Sequence, residues 1–246
     1  MGVMRVGVVG AYGKMGEAIS AAIEADEALT LSARVGSNDQ LRSLVEAGTD
    51  VVVDVTNLQA ARENLPWFAM HDMHAVVGTT GFSDDDLANL QRAYASNAKA
   101  CFLVPNFSIG GVLMMKFAEQ AAPYFDGVEI IEFHHAQKKD APSGTSTLTA
   151  KRIADARDTL WAPDPTEHET VVGVRGGEVE PGIRVHSVRM PGMLAHQEVI
   201  FGAVGQTLTV RHDSYDRSSF MPGVLRAVNA VASLPAGITS GLDAVL

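Results

Sequence analysis

The segment His134-His135-Ala136-Gln137-Lys138-Lys139-Asp140-Ala141-Pro142-Ser143-Gly144-Thr145 concentrates chemically able side chains as no other stretch of the chain does. A histidine can take up or release a proton near neutral pH. Lys138 brings a positive charge. Ser143-Gly144-Thr145 reads as a helix start, where backbone N–H groups at Gly144 and Thr145 and the helix dipole stabilise an anion such as a substrate carboxylate. The segment therefore reads as a loop that grips an anionic substrate and moves a proton. No metal is expected here: adjacent histidines point apart, and no Cys or Glu partner stands at a useful spacing. Ser143 also lacks the G-x-S-x-G elbow of a serine nucleophile.

A second group is Gly10-Ala11-Tyr12-Gly13-Lys14-Met15-Gly16, directly after the apolar run Val3–Val9. A glycine-rich turn from strand to helix lets backbone come close to a pyrophosphate. The spacing is Gly10-x-x-Gly13-x-x-Gly16 rather than the strict G-x-G-x-x-G. After the second strand the chain reads Arg34-Val35-Gly36-Ser37, where a ribose-binding carboxylate would be expected and is missing. Arg34 and Ser37 can instead meet a 2′-phosphate, which tilts the cofactor toward NADPH and leaves NADH open. Gly78-Thr79-Thr80 and Val104-Pro105-Asn106-Phe107 each follow a strand, where ligands of open α/β sheets bind, and are expected to line the nicotinamide side.

These residues need elements to position them. In the first half, strand-like runs (Val3–Val9, Leu29–Val35, Asp50–Val55, Ala75–Val77, Ala100–Val104) alternate with helix-like ones (Lys14–Ala25, Gln59–His71, and a helix capped by Ser83-Asp84-Asp85-Asp86). That alternation implies a parallel sheet with helices on both faces. After about residue 107 the pattern changes. Helices are expected at Ile109–Tyr124 and from Thr145 to about Asp158, a strand at Val128–Phe133, and a proline-rich connector at Trp161–Glu169. Strands follow near Val171–Val174, Ile183–Arg189, Gln197–Phe201 and Thr207–His212, then a helix at Phe220–Leu234. Consecutive strands imply a mostly antiparallel or mixed sheet.

Composition narrows the function classes. Hydrophobic residues make up 46% of the 246, enough for a packed core. The 19 lysines and arginines against 29 acids leave a net charge of −10, which disfavours general nucleic-acid or anionic-membrane binding. A small anionic substrate in a locally basic pocket is still compatible. The lone Cys101 cannot form an internal disulfide and reads as a small core residue. No apolar run approaches the ~20 residues of a membrane helix, no signal peptide is expected, and Val6 stands where an acylation signal at Gly2 would need Ser or Thr. A cytoplasmic setting is expected. His71 and His74 are expected at the surface, and His196 and His212 in structural roles.

The chain resembles the dihydrodipicolinate reductase family along essentially its whole length. The resemblance rests on Glu132-x-His134-His135-x-x-Lys138-x-Asp140-Ala141-Pro142-Ser143-Gly144-Thr145, on the glycine turn, on Val77-Gly78-Thr79-Thr80-Gly81-Phe82, on Pro105-Asn106-Phe107 and on Ser214-Tyr215-Asp216-Arg217-Ser218-Ser219-Phe220. It implies NAD(P)H-dependent reduction of 4-hydroxy-tetrahydrodipicolinate, a cyclic dicarboxylate, in diaminopimelate and lysine biosynthesis. It also implies His134 as catalytic acid/base and Lys138 as a second proton donor. His135, Lys138, Ser143, Gly144 and Thr145 would hold substrate. Gly10 to Met15, Gly78 to Thr80 and Val104 to Phe107 would contact the cofactor. The implied fold is a Rossmann domain, residues 1–107 and 215–246, plus a mixed α+β domain, residues 108–214, that binds substrate and assembles a homotetramer. Val55 and Asn57 in Asp54-Val55-Thr56-Asn57, and Tyr12 in the glycine turn, depart from the family pattern. Two other readings stand beside this one: a dehydrogenase of the same architecture for another amino or imino acid, and a nucleotide sensor without turnover.

Overall fold

A computed structural model describes residues 3–246; Gly2 lies outside the described residues. By contacts the chain divides into two compact units, one running to Ile109 and resuming at Arg217–Leu246, the other Gly110–Asp216. The sequence reading places these crossings at 107/108 and 214/215.

The first unit holds strands β1 (Met4–Val9), β2 (Leu29–Val35), β3 (Val51–Asp54), β4 (His74–Val77) and β5 (Ala100–Leu103). Between them run helices α1 (Lys14–Glu24), α2 (Arg42–Glu46), α3 (Leu58–Met70) and α4 (Asp84–Ser96). The chain leaves this unit at α5 (Ile109–Ala121). Four residues of β3 with no exposed surface to speak of, Val51 to Asp54, mark a strand covered on both faces. On one face Val52, Ala75, Val77, Cys101 and Leu103 meet Ala61, Leu65 and Phe68 of α3 and Leu90 and Tyr94 of α4. Ser83 starts α4 with a capping box: its hydroxyl accepts from Asp86 N–H, and the Asp86 carboxylate accepts from Ser83 N–H at 2.9 Å.

The second unit holds β6 (Gly127–His134), α6 (Gly144–Asp155), β7 (Gly177–Glu180), β8 (Ile183–Arg189), β9 (Ala195–Ala203) and β10 (Gln206–Ser214). The sheet order is β10-β9-β6-β8-β7, mixed because β6 and β8 run parallel and the other neighbours antiparallel. Helix α6 packs against β6, β7 and β8. The expected strand Val171–Val174 is instead a turn: Gly173 has φ +86°, and Val172 is almost fully exposed. The strand lies later, at β7. The connector before it is tied down by Arg157, which bonds the carbonyls of Ala122 and Phe125 and stacks 4.1 Å from the Trp161 ring centroid.

The chain then returns to the first unit with α7 (Met221–Val231) and β11 (Gly237–Ser240), and α7 packs beside α1 on the sheet. Strand β11 completes a parallel order β11-β5-β4-β3-β1-β2 and was not expected from sequence. His74 is half-buried rather than on the surface. Its Nδ1 accepts from Ala100 N–H at 3.1 Å, and burial, then the Lys99 charge, pushes its pKa down.

The turn after β1 depends on two glycines. Gly10 takes φ +83°, open to glycine at little cost, and donates to Val35 C=O at 2.8 Å. Gly16 lets α1 press onto that turn: a Cβ there would lie 2.1 Å from Gly10 O and 2.6 Å from Ala11 Cα, both backbone. Gly16→Ala is expected to lower stability by about 1–3 kcal/mol, the usual cost of overpacking, measured as a lower urea midpoint with unchanged slope.

Candidate active site

In the first unit, the ends of β1, β3, β4 and β5 meet in a cleft of about 320 Å³ lined by Met15, Val55, Thr56, Gly78, Thr79, Pro105, Asn106, Phe107 and Phe220. Six sequence-predicted cofactor residues come together here: Met15, Gly78, Thr79, Pro105, Asn106 and Phe107. Val104 is buried just behind them, while Thr80 is exposed beside the cleft. Phe107 presses its ring edge toward Gly78, where a Cβ would sit 2.9 Å from it. Thr79 Oγ1 is buried without a hydrogen-bond partner in the protein. Such an orphan is costly and calls for a polar group from a ligand.

The glycine turn supplies the second half of a nucleotide site. Gly13 is the N-cap of α1, and no side chain caps that end, so its first N–H groups face outward next to exposed Gly13 and Lys14. Ala11 is fully buried beneath the turn, and Tyr12 is exposed with its ring against Gly36. Arg34 is exposed, its guanidinium 5.3 Å from the Tyr12 ring centroid. A carboxylate does reach the turn after β2, contrary to the sequence reading. Asp39, five residues beyond Arg34, folds back to accept from Gly36 N–H at 2.8 Å.

In the second unit, β6 and α6 position the loop singled out by residue type. His134 ends β6 with its ring mostly buried, while His135 is exposed. Lys138 donates to both oxygens of Asp140 at 2.8 and 2.7 Å, and that contact holds the Asp140 carboxyl below its ordinary pKa. Ser143 is turned inward as the N-cap of α6, its hydroxyl accepting from Ser146 N–H at 3.1 Å. Thr147 N–H is used by Ser143 C=O, so the N–H groups of Gly144 and Thr145 are the ones aimed past the helix end.

Arg189 and Gln197 escaped the sequence reading, which names Glu132 only within a motif. Glu132, fully buried, accepts from His134 Nδ1 and from both terminal nitrogens of Arg189, at 2.9 and 2.7 Å. Burial pushes the Glu132 carboxyl up, but the hydrogen bonds from His134, Arg189 and Ser187 outweigh it and hold the pKa at about 2. Gln197 on β9 accepts from Ser146 Oγ and donates to Thr149 Oγ1, both at 2.8 Å, which fixes the start of α6. Pairing across strands, such as Glu132 opposite Gln197, is the signal that would have found them. Among the described residues, no group of three or more His, Cys, Asp or Glu could hold a metal ion.

Such a sheet, with a glycine turn on its first strand and a loop bearing histidines and lysines in the chain that follows, fits a Rossmann-type oxidoreductase that uses a pyridine nucleotide. Residues 4–107 match the family model for the dihydrodipicolinate reductase N-terminus, and residues 110–246 the model for its C-terminus. The chain belongs to the dihydrodipicolinate reductase family. It is 51% identical over 245 residues to the 4-hydroxy-tetrahydrodipicolinate reductase of Mycobacterium ulcerans, covering 99% of each chain. It is 51% identical over 250 residues to that of Nocardia farcinica, covering 99% of this chain and 98% of that one. Among solved structures it resembles the dipicolinate-bound dihydrodipicolinate reductase from Paenisporosarcina sp. TG-14, with TM-score 0.89, 39% identity and all of both chains covered.

Two outcomes follow for stability. Gln197→Met removes one hydrogen bond from each of two buried hydroxyls, which keep Ser143 Oγ and Thr145 C=O as partners, and is expected to cost about 1 kcal/mol in urea melts. Glu132 binds a proton less readily folded than unfolded. Its stabilisation is complete above the ordinary carboxyl value of 4.5 and is lost as pH falls through about 2. Stability measured from about pH 5 down to about pH 2 should therefore fall more steeply in the wild type than in Glu132→Gln.

Proposed function

We propose that this protein reduces 4-hydroxy-tetrahydrodipicolinate, by way of dihydrodipicolinate, to tetrahydrodipicolinate in the route to diaminopimelate and lysine, with His134 and Lys138 carrying the proton chemistry. The observation that carries the residue roles is the loop between β6 and α6. It sets a histidine with a fixed Nδ1 partner, a lysine and an uncapped pair of helix N–H groups along twelve consecutive positions, 134–145.

A pyridine nucleotide, when bound, would supply the hydride for C4 of the conjugated ring. Met15, Thr79, Asn106 and Phe107 would hold its nicotinamide end, where Thr79 Oγ1 would gain the partner it lacks within the protein. Gly10 to Lys14 would hold its pyrophosphate. NADPH is the favoured nucleotide: Arg34 and Lys14 are exposed cations, and Asp39, the acid at that turn, is already engaged by Gly36 N–H. His134 delivers the proton that completes the reduction at C3. Lys138 exchanges Asp140 for one substrate carboxylate and assists with the proton. Gly144 and Thr145 N–H grip the other carboxylate, with Ser143 holding the helix end that presents them and exposed His135 closing the loop side. Dipicolinate, found in the relative from Paenisporosarcina, is a flat dicarboxylate of this class.

The open face of the second sheet carries Glu129, Ile131, Phe133, His186 and Ile200, only partly covered. It supports assembly into a homotetramer, checked by light scattering. No described helix is long and apolar enough to cross a membrane, and the cytoplasm is the proposed setting.

The test is an assay in which the preceding synthase makes substrate in situ and nicotinamide absorbance is followed with NADPH and NADH in parallel. Oxidation should require this protein. His134→Ala and Lys138→Ala are each expected to lower kcat on the order of 10²–10³-fold in folded protein. Arg34→Ala should lower the NADPH-to-NADH ratio of kcat/KM; an unchanged ratio removes Arg34 from the cofactor reading. Cofactor binding without turnover by the wild type would favour a sensor.

A further inference from the structure

We propose that Glu132, braced by Arg189, is the positioning residue of His134: it fixes the ring as the Nδ1–H tautomer and so presents Nε2 to the substrate. The proposal rests on the reading of His134 as the proton-moving group.

Geometry carries it. Glu132 and His134 are two residues apart on β6, so both side chains stand on the same face of the sheet. The Glu132 carboxylate has no exposed surface, whereas the His134 ring keeps 15% of its side chain exposed. The ring is therefore anchored at one nitrogen and open at the other. An ionised carboxylate only accepts hydrogen bonds, so the nitrogen facing it must carry the hydrogen. That leaves Nε2 as the atom free to take a proton and hand it on.

Arg189 makes the anchor rigid. It sits opposite His134 in the β6–β8 register. Its Nη1 and Nη2 hold one Glu132 oxygen each, and Nη2 also donates to Asp140 C=O at 2.8 Å. One guanidinium thus ties the carboxylate, through it the imidazole, and the middle of the substrate loop. Its Nε is buried without a partner. Burying such an ion pair, one donor wasted, is a poor way to stabilise a sheet, because apolar side chains of similar volume commonly do as well or better. A fixed direction for an adjacent acid–base group is what these charges do offer.

The experiment has two independent arms on the full-length protein. In the first, nitrogen NMR of histidine-labelled wild type, with His134→Ala subtracting one signal for assignment, reads the tautomer directly. The hydrogen is expected on Nδ1; a neutral ring protonated on Nε2 overturns the proposal. In the second, Glu132→Gln and Glu132→Asp are compared with His134→Ala. Glu132→Asp keeps the charge for Arg189 but withdraws it from the ring, so it guards against a Gln variant that does not fold. Each folded variant should lose roughly 10- to 100-fold in kcat, bounded by the loss in His134→Ala, with KM within about threefold. Combining Glu132→Asp with His134→Ala should cost no more than His134→Ala alone. Wild-type kcat in folded Glu132→Asp, beside a deficient His134→Ala, overturns the positioning role and leaves the acid–base reading standing. Wild-type turnover in His134→Ala removes both.

Discussion

A carboxylate shut away from water must be met on every side by donors, and in the second unit the position of Glu132 governs what surrounds it. Its partners come from two strands and a loop: His134, two residues along β6, Arg189 and Ser187 on β8, and through Arg189 the carbonyl of Asp140. Withdrawing any of them leaves a buried charge short of a partner, a far larger penalty than the modest value of each bond. The same demand is met one strand away by Gln197, whose amide satisfies Ser146 and Thr149 under the first turn of α6. Polar groups beneath the loop thus do for this site what apolar packing does elsewhere. They allow one arrangement and make alternatives expensive.

The first unit solves its positioning problem differently, with contact distances instead of charges. Gly16 on α1 touches the backbone of the β1 turn, Gly10 approaches Val55 C=O, and Gly78 receives the edge of the Phe107 ring. Small residues at these points let three successive turns converge at the strand ends. Val55 lines the cleft and lies 3.2 Å from where a Gly78 Cβ would be, so its side chain forms that wall.

How much of this could be read from the sequence follows from the range of the interactions. Strands covered on both faces announce themselves: Val51-Val52-Val53 is apolar because helices lie on either side. The candidate loop, residues 134–145, is legible because its residues are consecutive. Strand β11 is not, since Gly237-Ile238-Thr239-Ser240 has little local preference and becomes a strand by pairing with β5. Val171-Val172-Gly173-Val174 misleads in the opposite sense: its β-branched residues favour a strand, and Gly173 in a left-handed conformation turns the chain instead. Glu132 could be quoted as part of a motif, but its role depends on Arg189, 57 residues later, and no local pattern connects them. Asp39 was overlooked because a strand-end acid is sought at the strand end, while this one reaches back from beyond it.

The pairing of Lys138 with Asp140 also bears on which molecules can compete for the loop. In the free protein the ammonium is already neutralised by a neighbour on its own chain, at an effective concentration no dissolved ion matches. A simple monocarboxylate from the cellular pool would have to evict Asp140 and would gain only an equal contact in return. On the proposed reading, a rigid diacid would recover the difference through its second carboxylate at the start of α6. Under the proposed function, the internal ion pair would set a threshold against anions of lower valency, a selectivity for two negative charges that would need no deep or closed pocket.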